Sequence, residues 1–169
     1  YGWIAEDAVQ TARKQVANLI GCHPKEVIFT SGATESNNLA LFGYLQKFLK
    51  QHQKPHIITT QTEHKAVQQV CKNCESWGAE VTYLNVNSYG EVNIEELKEA
   101  IRPNTKLISV IFAQNEIGTI NPIEEIAQVA KDNKIIFHTD AAQATGKVDF
   151  SVKNLGVDLL SISAHKLYG

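Results

Sequence analysis

Leu107-Ile108-Ser109-Val110-Ile111-Phe112 is a nearly continuous apolar run. Such a run, without polar alternation, is the pattern of a strand buried on both faces of a parallel sheet. Parallel strands need crossover connections, usually helical, so the flanking sequence should alternate between strand and helix patterns. Downstream, Asn121-Pro122 opens a helix with proline at its first position. Ile135-Ile136-Phe137-His138-Thr139 and Leu159-Leu160-Ser161-Ile162-Ser163 read as two further strands. Upstream, Asn93 is placed to cap a helix, with Glu96 as its capping-box partner. Before it come the turn cluster Asn87-Ser88-Tyr89-Gly90 and a strand from Val81 to Val86. A helix from Lys65 to Trp77, a strand His56-Ile57-Ile58-Thr59-Thr60 and a helix from Glu35 to Leu49 precede these. Val27-Ile28-Phe29-Thr30 is short, β-branched and aromatic, and is predicted as a strand. The first helix runs from Trp3 to Ile20 on the stripe Ile4, Ala8, Ala12, Val16 and Leu19, with Gly21 and Pro24 as its stop signals. The alternation predicts an α/β fold, a mostly parallel sheet with crossover helices, as one domain over residues 1–169.

A chain of 169 residues with 43% hydrophobic and 20% charged residues suits one soluble domain with a useful core. Sixteen basic against 18 acidic residues give a net charge of −2 with both signs scattered. That argues against a broad nucleic-acid or polyanion surface. No apolar run reaches transmembrane length, and no signal-peptide pattern is visible. The chain opens on Tyr1, so an upstream segment is expected to be missing. Three cysteines, an odd number, point to a reducing cytoplasm rather than a disulfide scaffold.

In open α/β sheets ligands bind beyond the carboxyl ends of the strands. The loops there are Ser31 to Glu35, Gln61 to His64, Ala113 to Gly118, Asp140 to Gln143, and Ala164 to Lys166, and they could converge on one site. Thr30-Ser31-Gly32-Ala33-Thr34-Glu35-Ser36-Asn37-Asn38 takes a strand through a small, hydroxyl-rich turn into a helix. Amides at a helix start suit a phosphate, with Thr34 adding a hydroxyl, although the same residues would serve as a cap with no ligand. Asp140 ends an apolar strand, so its carboxylate needs a partner such as a protonated ring nitrogen, or else it caps the next helix. Lys166 follows a strand and neighbours His165; a partly desolvated ammonium there would make the amine a nucleophile able to form a Schiff base. A solvated surface lysine is the common alternative. His64 could lie flat against a planar cofactor and Asn115 could donate to a ring oxygen, or each could be a structural hydrogen-bonding residue.

Cys71 and Cys74 form a Cys-x-x-Cys pair, yet share an apolar helical stripe with Val67, Val70 and Trp77. Core packing is therefore preferred to redox or metal chemistry, and no metal site is predicted. His23, His52 and His56 have no motif around them and read as surface or structural.

Taken together, Thr-Ser-Gly-Ala-Thr-Glu-Ser-Asn-Asn at 30–38, Thr-Glu-His-Lys-Ala at 62–66, Asn-Glu-Ile-Gly at 115–118, Asp-Ala-Ala-Gln at 140–143 and Ser-Ala-His-Lys-Leu-Tyr-Gly at 163–169 resemble the cysteine desulfurases. These are the NifS/IscS-type branch of the aminotransferase class V group. The resemblance covers essentially the whole chain, in order. It implies the large domain of a pyridoxal 5'-phosphate (PLP) transferase of the aspartate aminotransferase-like fold (fold type I). It further implies that Lys166 is the Schiff-base lysine, that Asp140 pairs with the pyridinium nitrogen, and that His64 stacks on the ring and also moves protons. Gln143 would bond the phenolic oxygen, with Asn115 near it; Ala33, Thr34, Ser163 and His165 would hold the phosphate.

Such enzymes convert L-cysteine to L-alanine and pass the sulfur, as a persulfide on a loop cysteine, to iron–sulfur scaffold or tRNA-thiolation partners. They are homodimers, with no direct nucleic-acid or membrane contact implied. None of Cys22, Cys71 or Cys74 occupies the place of that loop cysteine. The substrate-carboxylate arginine and the small carboxyl-terminal domain are also lacking, so the chain is expected to be a fragment, not active alone. Exposed apolar surface and a tendency to associate are expected with it. A selenocysteine lyase or another class V enzyme would share these motifs, and a non-catalytic α/β remnant or interaction module is the alternative of a different class.

Overall fold

The computed structural model describes residues 2–168. Helix α1 (Gly2–Ile20) and a short 3₁₀ turn (Pro24–Glu26) lead to α2 (Ala33–Leu49). Then come β1 (His56–Thr60), α3 (Lys65–Ser76), β2 (Glu80–Leu84), α4 (Ile94–Glu99), β3 (Thr105–Ser109), α5 (Ile123–Asp132), β4 (Ile136–Asp140), α6 (Val152–Leu155) and β5 (Leu159–Ser161). A second 3₁₀ turn, Ala164–Leu167, follows. The sheet has the order β2-β1-β3-β4-β5 and all four pairings are parallel, as the alternating pattern predicts.

Side chains alternate across the strands, so the sheet carries a core on each face. Ile57 and Leu107 pack with Leu41 and Leu45 of α2 and with Val67, Val70, Cys71 and Cys74 of α3. Ile58, Ile108 and Phe137 pack on the other face with Leu97 of α4 and Ile126 of α5. Each fully buried Leu, Ile or Phe side chain contributes about 1.5–3 kcal/mol.

Buried polar pairs join the strands as well. His56 bridges the hydroxyls of Thr105 and Thr82, both at 2.8 Å, from the middle of three strands. His138, fully buried, has Nδ1 2.9 Å from Ser109 Oγ and Nε2 3.0 Å from Ser161 Oγ. Ser36 Oγ donates to Ser161 Oγ at 3.0 Å, so this chain of bonds runs from the first turn of α2 into the sheet.

Several local expectations are corrected. Val27–Thr30 forms no strand: among the described residues no strand pairs with it, and Ile28 is 70% exposed. Extended propensity without a ladder partner does not make a strand. Pro122 is the N-cap of α5 rather than its first residue. Asn93 caps α4 through the amides of Glu95 and Glu96, but no bond returns from the Glu96 side chain among the described residues. Trp77 leaves the α3 stripe, 58% exposed, because the helix ends at Ser76; its ring meets Phe42 edge-on at 4.3 Å. The expected exposed apolar surface is present at Trp3 and Ile4 of α1 and at Phe29.

Candidate active site

The chain enters the sheet at β1, crosses by α3 to β2 on one side, then returns by α4 to β3 on the other. The strand order therefore reverses between β1 and β3, and the crevice beyond their carboxyl ends is where such sheets bind ligands. A cleft of about 420 Å³ opens there. All five loops singled out in the sequence reach it: Ala33 and Thr34 from the first, His64 from the second, Asn115 from the third. Asp140 and Gln143 come from the fourth, and His165 and Lys166 from the fifth, with Ser163 beside them. The nine residues picked from the sequence thus line one wall-to-wall surface. A roomier groove of about 540 Å³ lies by α5 and α6, but its charged lining is Glu124, Glu125 and Asp149, without a cation to hold an anionic ligand.

Each side chain is set by its local structure. Ala33 and Thr34 open α2, whose first amides lack intrahelical acceptors. Gly32 before them has φ 155° and ψ 179°, a backbone state that is essentially glycine-only. Glu35 accepts from Ser31 N–H at 2.5 Å, and this bond holds its carboxyl below the usual range. His64 is the N-cap of α3; its Nδ1 accepts from Ala66 N–H at 3.2 Å, leaving Nε2 as the ring's other polar atom. Gln143 Oε1 accepts from Lys147 Nζ at 3.1 Å, which leaves its amide NH₂ as donor. Ser163 Oγ and His165 Nδ1 lie 2.9 Å apart.

Asp140 is 4% exposed at the floor. Its Oδ1 accepts from Ala142 N–H at 3.0 Å and its Oδ2 from Asn37 Nδ2 at 2.8 Å. No basic side chain forms an ion pair with it among the described residues. The cap reading is corrected, because turns and no helix follow Asp140 over residues 142–147; the buried-carboxylate reading holds, with no ion-pair partner among the described residues.

Lys166 departs from expectation. It lies exposed on the second 3₁₀ turn, at the rim of the cleft, rather than desolvated against the strand. Leu167 of the same turn lies against Gly146, while the Lys166 side chain faces outward.

Two residues of the site were missed in the sequence. Asn37, fully buried, is the Asp140 partner, and its own Oδ1 has no hydrogen bond. Glu63, 5% exposed, receives Ile111 N–H at 2.7 Å and Thr60 Oγ1–H at 3.1 Å on Oε1, while Oε2 has no partner. Burial pushes the Glu63 carboxyl up to about 8, with the Asp140 charge adding to it. The unfolded chain releases this proton near 4.5 and the folded chain near 8, so stability falls as pH rises across that window. Glu63→Gln cannot titrate, so its urea midpoint should gain on the wild type between pH 5 and pH 8. A constant difference would show that Glu63 ionises normally.

The donor set tests what could fit. A buried carboxylate without a cation, a helix start with free amides, amide donors from Gln143 and Asn115 and a primary amine at the rim match a flat, phosphorylated ring with a protonated nitrogen. PLP fits these residues.

The family model described as aminotransferase class-V matches residues 1–169. A mitosomal cysteine desulfurase of Encephalitozoon cuniculi is 54% identical over all of this chain and 39% of its own length. A mitochondrial cysteine desulfurase of Arabidopsis thaliana is 53% identical over 100% of this chain and 37% of its own length. The structure described as SspA in complex with cysteine superposes with a TM-score of 0.96 at 45% identity, covering 99% of this chain and 48% of that one. A NifS-like protein gives 0.94 at 42%, covering 99% and 46%. The chain thus spans about two-fifths of the length of the curated relatives it matches. It belongs to the aminotransferase class V family.

Proposed function

We propose that this chain is part of the PLP-binding large domain of a cysteine desulfurase, which takes sulfur from L-cysteine and leaves L-alanine. The observation that carries the reading is the meeting of Lys166, Asp140, Gln143 and the start of α2 at one cleft. When bound, PLP supplies a protonated ring that draws electron density from the substrate.

The chain's own residues then have separate tasks. Asp140 holds the proton on the ring nitrogen, as a buried carboxylate beside a cation. Gln143 donates its NH₂ to the phenolic oxygen, with Asn115 beside it. The amides at Ala33 and Thr34, the Thr34 hydroxyl, Ser163 and His165 hold the phosphate. His64 covers one ring face and carries a proton on Nε2. Lys166 would supply the amine that holds the cofactor covalently. The whole enzyme acts as a homodimer and hands sulfur to an iron–sulfur scaffold or another acceptor protein. Relatives named mitochondrial or mitosomal stand beside the cytoplasmic expectation from cysteine usage; unpaired Cys22, Cys71 and Cys74 suit any reducing compartment.

Mixing the chain with PLP, reducing with borohydride and mapping peptides by mass spectrometry tests the reading. The label should sit on Lys166, and Lys166→Ala should lower labelling at least about tenfold. Label spread evenly over surface lysines would overturn it.

A further inference from the structure

We infer that Glu63 is a positioning residue for the cofactor cleft, a buried carboxyl that ties the turn presenting His64 to the strand end leading to Asn115. The inference rests on the PLP reading, and its geometry lies at the strand-order reversal. Strand β1 ends at Thr60, whereas the chain of β3 continues extended past Ser109. On the β4 side that extension keeps its ladder: Val110 N–H donates to the His138 carbonyl at 3.2 Å and Phe112 N–H to the Asp140 carbonyl at 3.0 Å. On the β1 side the intervening Ile111 N–H faces a strand that has already ended. Glu63 Oε1 takes that amide at 2.7 Å, so a side chain replaces the missing strand carbonyl. The same oxygen receives Thr60 Oγ1–H at 3.1 Å, which anchors Glu63 to the last residue of β1.

The consequence is that the crevice between β1 and β3 has a fixed width at its mouth. Ile111 lines the cleft, His64 is the next residue after Glu63, and Asp140 is bonded through its carbonyl to the same extension. One carboxyl therefore holds the face, wall and floor of the cleft in register. Only acceptor capacity at one oxygen is used, and the nearby Asp140 carboxylate, of like sign, favours the neutral acid. A glutamine carbonyl can do the same work; an alanine cannot, and it leaves a buried N–H without an acceptor.

Wild type, Glu63→Gln and Glu63→Ala are compared first without cofactor, by amide exchange at Ile111 and by the His64 ring and Asn115 amide resonances. Glu63→Ala should exchange Ile111 at least about tenfold faster and shift both reporters, and Glu63→Gln should restore all three. With PLP added, Glu63→Ala should raise the dissociation constant about 10–100-fold and change the visible circular dichroism of the bound ring, again rescued by Gln. Glu63→Met, of similar length but with no acceptor, makes the same comparison if the alanine variant does not fold. Unchanged His64 and Asn115 reporters in Glu63→Ala overturn the inference, as does PLP bound with unaltered affinity and dichroism. If wild type takes no PLP at Lys166, the functional reading fails, and the cofactor-free reporters still decide whether Glu63 positions the cleft.

Discussion

Asp140→Asn should leave the cofactor-free chain as stable as wild type and remove most of the stabilisation that PLP confers. The first half follows from Asn37. In the variant Ala142 N–H still finds an oxygen, but the new NH₂ group faces the Asn37 NH₂. Asn37 Oδ1 is buried without a partner, so turning that amide over makes a new pair in place of the old one. The expected change in the cofactor-free melting temperature is within about 2 °C. The second half follows from charge: removing one partner of a buried pair costs about 3–5 kcal/mol, a loss of at least about a hundredfold in affinity. At a hundredfold excess over its dissociation constant PLP stabilises wild type by about 2.7 kcal/mol. That is about 5–10 °C for a chain of this size, and the variant should show almost none of it. Thermal melts with and without PLP decide the matter; an equal shift in both proteins would mean that Asp140 does not meet the ring nitrogen.

The second large effect concerns acid. His138 is wholly enclosed, and desolvation lowers its pKa from 6.5 to about 3. Below 6.5 the unfolded chain binds a proton that the folded chain refuses until about 3, so stability falls with pH across that window. At pH 4 the gap amounts to about 3 kcal/mol. His138→Gln keeps a donor and an acceptor for Ser109 and Ser161 but has no proton to gain. Its stability relative to wild type should therefore rise steadily as pH drops from 6.5 to 4, by urea unfolding. A difference independent of pH would mean that water reaches the ring. His56, lowered to about 4, acts in the same direction, whereas Glu63 acts in the opposite one. Between 4.5 and 6.5 the two histidines together outweigh Glu63, so the wild type should still lose stability as pH falls, and each variant removes one of the three contributions.

Much of this is legible in the sequence of residues 27–167 alone. Apolar periodicity placed α2, α3 and every strand of the sheet, because burial on two faces leaves an unmistakable run such as Leu107-Ile108. The loops that reach the cleft were legible too, since their positions follow from the sheet. What failed depended on neighbours that the local sequence does not contain. Val27–Thr30 has strand propensity and, among the described residues, no strand partner; Lys166 has a strand before it and is nonetheless exposed. Asn37 and Glu63 were missed for another reason. An Asn on a helix and a Glu in a turn look like solvated residues, and only the long-range bonds to Asp140 and Ile111 show that both are enclosed. The Thr-Glu-His sequence held the one signal available, a carboxylate directly before a candidate site histidine.

Cys71 and Cys74 lie fully buried on the inner face of α3, and burial pushes both thiols up, Cys74 to about 11 and Cys71 well above its ordinary value. Thiolate is the reactive form, so neither sulfur is open to alkylation or oxidation while the helix stays docked. Cys22 is only half-buried, just beyond the end of α1. A maleimide therefore finds Cys22 as the reachable thiol among the three, though burial raises that thiol as well and slows it, and a dye attached there marks the junction behind the first helix.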